Sequence, residues 1–233
     1  MSNQPSKLGK TLRWIAIILF ALAAALHLLE GIGTTCVALD AAKYGPFAVL
    51  ASYQWLYMSF VIAGLALGIA GFWATVQLVR KKENSYRNAI IILVLSIIAS
   101  GIHVLASVQI RGGGGPTDLI LYATIVVLIY FLILRIPSIW EKVEFENANS
   151  APDNAVAGGV AAIVAGMITL SSHSWAAASH TAGGINYADD LHLLINVVGW
   201  GLIVLGIIPL AWAVAKRSAR KEDPQAALSD GRV

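Results

Sequence analysis

This sequence predicts an all-α polytopic membrane bundle, with six transmembrane helices arranged as three consecutive hairpins and both termini cytoplasmic. Three observations predict it. Of 233 residues, 58% are hydrophobic and 12% charged, and the mean hydropathy of +0.73 lies outside the range of a soluble domain. The apolar residues gather into six segments, each long enough for a bilayer core that takes about 20 helical residues to cross. Lys and Arg cluster at alternate connections, as cytoplasmic loops require.

The chain opens with a polar segment, residues 1–13, carrying Lys7, Lys10 and Arg13. The first span is 14–33. Basic residues, an apolar run and small residues over 21–25 also have the character of a signal peptide, but the run continues to Leu29, which favours a retained anchor. The second apolar run, 47–79, is too long for one straight span. Its first part is expected in the interface, with Tyr53, Trp55 and Tyr57 in an aromatic belt.

Arg80, Lys81, Lys82 and Arg87 precede the third span, 89–110. Gly112 to Gly115, followed by Pro116, form an external turn; no Lys-Ser/Thr follows, so this is not a phosphate loop. Arg135 and Lys142 lie at and after the end of the fourth span, 117–136. A polar linker, 141–154, is expected to be mobile before spans 155–178 and 191–215. The tail, 216–233, carries Lys216, Arg217, Arg220, Lys221 and Arg232. One transmembrane domain, 14–215, thus accounts for nearly the whole chain.

Only Lys43 and Arg111 fall on the outer side, so the formal charge of +3 follows the membrane. It indicates a lipid bilayer as partner and a cell-membrane location, and no nucleic acid. Cys36 is the single cysteine, which excludes an internal disulfide. No soluble catalytic domain fits, and no nucleophile, base and orienting group are spaced for hydrolysis: Ser171, Ser172 and Ser174 surround His173 without a GxSxG turn.

The chemistry concentrates at the outer side, where all five histidines fall together with Glu30, Asp40, Asp118, Asp189 and Asp190. Ionisable groups in spans mark functional sites. At ~1.5 Å per residue, His27 lies roughly 21 Å beyond Arg13 and His103 roughly 24 Å beyond Arg87, a shared depth. Polar stripes at helical spacing, Ser96, Ser100, His103 and Ser107 in the third span and Gly166, Thr169, His173, Ala177 and His180 in the fifth, should face inward. Asp189, His192, Asn196 and Gly199 repeat the pattern in the sixth. One histidine in each outward helix also resembles a triplicated two-helix unit, although the flanking residues do not match.

Two imidazoles at equal depth can hold haem b, with His27 and His103 as axial ligands and His173 as substitute, in an electron-transfer subunit of a larger redox complex. A second possibility is a Cu or Zn site of His180, Asp189 and His192. A third is a small transporter working through His27 and Glu30, against which the nearly uniform apolar midplane stands. The fourth is a cofactor-free subunit held to other membrane proteins, since Gly64 and Gly68 form a GxxxG, with Gly71 beyond.

Overall fold

The computed structural model describes residues 7–143, 145, 151–182 and 184–222. Among these the fold is helical, apart from a two-residue antiparallel pair, Thr181–Ala182 with Ile185–Asn186. The helices are α1 (Lys7–Asp40), α2 (Gln54–Val79), α3 (Ser85–Arg111), α4 (Pro116–Leu134), α5 (Pro137–Val143), α6 (Ala151–Leu170), α7 (Ser172–Trp175), α8 (Ala177–His180) and α9 (His192–Glu222). The expected hairpins are real packing units, α1 on α2, α3 on α4 and α6 on α9.

Five of these helices are long and apolar enough to cross a membrane. The expected fifth span, 155–178, is shorter: its apolar part is Ala155–Leu170, and the chain turns at Ser171 before the short α7 and α8. The polar run Ser171 to Ser174 supplies the reason, because Ser side chains compete with the backbone for its hydrogen bonds; Ser171 Oγ donates to the Ile168 carbonyl at 3.0 Å.

The second apolar run is divided at Tyr53, with a 3-10 segment over Gly45–Tyr53 before α2. Trp55 is exposed, but Tyr57 is buried and leaves the expected belt, its hydroxyl meeting Ser107 Oγ at 2.8 Å. The expected linker also begins inside the fold. Glu141 to Val143 complete α5, and Val143 and Phe145 are buried in the core, where Arg13 Nη1 donates to the Val143 carbonyl at 2.8 Å. Residues 144 and 146–150 lie outside the described residues, as do tail residues 223–233. α9 itself continues past the expected span to Glu222.

Glycine sets the closeness of the hairpins. A Cβ on Gly64 would lie 2.9 Å from the Gly31 nitrogen and 3.1 Å from the His27 carbonyl oxygen, and one on Gly68 would lie 2.8 Å from the Leu28 nitrogen. The GxxxG therefore seats α2 directly on the turn of α1 that carries His27. α6 and α9 meet through Gly159, Gly166, Gly199 and Gly206 in the same way. At the far end of α3, Gly112 adopts φ 82° and its N–H bonds the Val108 carbonyl, a left-handed helix stop that suits a residue without Cβ.

Two apolar clusters fill the α1–α4 bundle. One, at the end that includes Arg13 and Arg135, contains Ile17, Phe20, Leu78, Leu93, Phe131 and Phe145. The other, at the opposite end, contains Val37, Leu50, Tyr57, Phe60 and Val61. His27 and Glu30 on α1, Ser100 and His103 on α3 and Thr124 on α4 are buried polar residues that fall between them.

Candidate functional site

At this seam α1 contributes His27 and Glu30, three residues apart and so on one helical face. α3 contributes Ser100 and His103 by the same spacing, and α4 contributes Thr124. All five are buried. Glu30 is the hub: Oε2 lies 3.0 Å from His27 Nδ1, Oε1 lies 3.1 Å from His103 Nδ1, and Ser100 Oγ donates to Oε2 at 3.1 Å. His27 Nε2 lies 3.0 Å from Thr124 Oγ1.

The hydrogen bonds count the protons. Thr124 donates its hydroxyl proton to the Ile120 carbonyl at 2.7 Å, so its oxygen accepts from His27 Nε2–H. A neutral His27 with that proton on Nε2 has a bare Nδ1, facing a carboxyl oxygen. That 3.0 Å contact holds only if another proton lies in it, on Glu30 as the acid or on His27 as imidazolium. Either placement preserves every bond and leaves the His27–Glu30 pair neutral overall, which a buried site in an apolar bundle favours.

His103 is fixed from three sides. Its Nδ1–H donates to Glu30, its ring stacks on Phe60 with centroids 4.3 Å apart, and Tyr57 meets it edge-on at 5.6 Å. Among the described residues Nε2 of His103 has no hydrogen-bond partner.

The same ring borders a cavity at the end of the bundle opposite Arg13. The cavity opens outward and has a volume of about 110 Å³, and Leu29, Ile32, Val37, Leu50, Ile120 and Ile195 supply much of its wall. Glu30, His103 and Ser107 lie on its inner side, and Arg111, Phe47, Ser172 and His180 also line it. A mostly apolar lining with a few polar groups is a usual feature of a small-molecule site.

Of the residues singled out from sequence, His27 and His103 are brought together, at the common depth that helical rise predicted. The carboxyl of Glu30 lies between their rings. His173 is exposed and bonds neither of them: Nδ1 meets the Leu170 carbonyl at 3.1 Å and Nε2 meets Ser174 Oγ at 3.1 Å. His180, Asp189 and His192 do not converge. His180 Nδ1 bonds the Ala176 carbonyl, Asp189 accepts from Asn186 at 3.5 Å, and exposed His192 pairs with Asn196. No group of three or more His, Cys, Asp and Glu among the described residues has a metal-binding arrangement.

Sequence reasoning missed Thr124 and Phe60. Thr124 had a signal, as the only polar residue in the apolar run LILYATIVVL; Phe60 had none, because its ring is set by how α2 rotates against α3. No protein-family model, curated protein or solved structure matches the chain.

Proposed function

We propose that this multi-pass helical membrane protein binds a small molecule in the cavity and exchanges a proton with it through His103, Glu30 and His27. One observation carries the reading: an unbroken hydrogen-bonded chain joins the imidazole at the cavity to a site where a proton can rest on either of two partners. A proton accepted at His103 Nε2 releases the one on Nδ1 to Glu30, since an imidazole relays protons between its two nitrogens. The stacked Phe60 keeps the ring in the one orientation that does this.

The chain ends at Thr124, inside the bundle, so it stores a proton and does not conduct one across. Infrared difference spectra of the purified protein across a pH step, in water and in heavy water, test the reading. The expected result is a deuteration-sensitive carboxyl band in the wild type that is absent from Glu30→Gln. An identical spectrum in that variant would overturn the proposal.

The haem b reading keeps one supporting observation. An imidazole that ligates iron usually gives its other N–H to a carboxylate, as His103 gives Nδ1–H to Glu30, leaving Nε2 toward a ligand. His103 is then the axial ligand, while His27, both of whose nitrogens are engaged, orients Glu30. A reduced-minus-oxidised visible spectrum decides this: a sharp α-band lost in His103→Ala supports a haem, and a colourless protein purified with added haemin removes it.

A further inference from the structure

Among the described residues, the cavity wall holds two polar groups without a hydrogen-bond partner. The guanidinium of Arg111 lies over the Phe47 ring, 5.4 Å from its centroid, and makes no hydrogen bond or ion pair among the described residues. Lys43, the other basic residue at this end, is already paired with Asp190 at 2.9 Å. Ser172 is buried, lines the same cavity, and its Oγ has no hydrogen-bond partner. Burying a hydroxyl unpaired costs about 1–3 kcal/mol, which a ligand oxygen would recover.

Resting on the reading of this cavity as a ligand site, we infer that its ligand is a monocarboxylic acid with an apolar, single-chain body. The planar fork of Arg111 takes both oxygens of a carboxylate at once. The same acid in its protonated form donates to His103 Nε2, the acceptor at the inner side. Thus each protonation state of one ligand finds a matching group in one cavity, and the aliphatic wall between them accepts the chain. A single positive charge calls for a monoanion, and the small space at the cavity, about 110 Å³, favours one chain over the two of a bilayer lipid.

Equilibrium binding of radiolabelled dodecanoate to the full chain in lipid nanodiscs, with empty nanodiscs subtracted, tests the inference against dodecanol. Saturable dodecanoate binding, with dodecanol weaker by about tenfold or more, is expected from the loss of a charge-assisted hydrogen bond. Arg111→Gln should remove that preference while leaving dodecanol binding unchanged, and Ser172→Val should weaken dodecanoate by a smaller factor. Equal binding of acid and alcohol by the wild type overturns the carboxylate inference alone. Failure of both to bind overturns the ligand-site reading with it. The wild-type comparison stands even if Arg111→Gln does not fold.

Discussion

Histidine meets two different fates in the two halves of this molecule. In the α1–α4 bundle, His27 and His103 are buried and share one carboxyl group; around α6–α9, His173 and His192 are exposed and their rings, among the described residues, bond near neighbours in sequence. Both halves are built on close glycine-lined hairpins, so close packing alone does not create the site. The difference lies in where each helix stops. α1 and α3 continue well beyond their histidines, to Asp40 and Arg111, whereas α6 ends at Leu170 and leaves His173 beyond the packed region. A histidine becomes part of a buried network only where the helix carrying it is still covered on that side.

The contrast can be broken most strongly at Glu30. Replacing it by Ala removes the acceptor shared by His27, His103 and Ser100, and should cost about 3–5 kcal/mol, the range for removing one partner of a buried ion pair. Chemical unfolding in detergent micelles would register this, with Glu30→Gln losing less because it keeps one acceptor oxygen. Next, Gly64→Val forces α2 away from the His27 turn and should destabilise by about 1–3 kcal/mol through overpacking. It should also alter the His103 ring environment in nitrogen-15 spectra, whereas Gly206→Val should destabilise comparably and leave that signal in place. Smallest of all, His173→Ala and His192→Ala should leave the unfolding midpoint unchanged; a marked drop for either would erase the distinction between the halves.

The sequence made depth legible. Rise per residue is a constant of the helix, so counting from Arg13 and Arg87 placed His27 and His103 level, and period alone identified the stripe of Ser96, Ser100, His103 and Ser107, all buried. The GxxxG was legible as a close contact for a similar reason: without side chains at those positions, backbones can touch. Rotation about each helix axis was not legible, because it depends on which neighbour covers which face. That is why Tyr57 was expected in an interfacial belt and stands inside against Ser107. Helix ends were also poorly marked: the apolar residues after Ser174 made α6 look longer, and the acidic and amide residues around Val143 and Phe145 hid two core side chains in a polar stretch.

The three-residue spacing of His27 and Glu30 bears on how the chain enters a bilayer. Two ionisable groups on one incoming helix would ordinarily oppose its partition into lipid, each costing a few kcal/mol. Here they become each other's partner as soon as that turn winds, long before the ribosome has made α3 or α4. The segment can therefore be released into the membrane as a neutral unit, and His103 and Thr124 dock later onto groups already satisfied. Shortening their separation to two residues would place them on different faces; the charge would then burden the translocation machinery, and the defect would appear as poor membrane integration of the nascent chain.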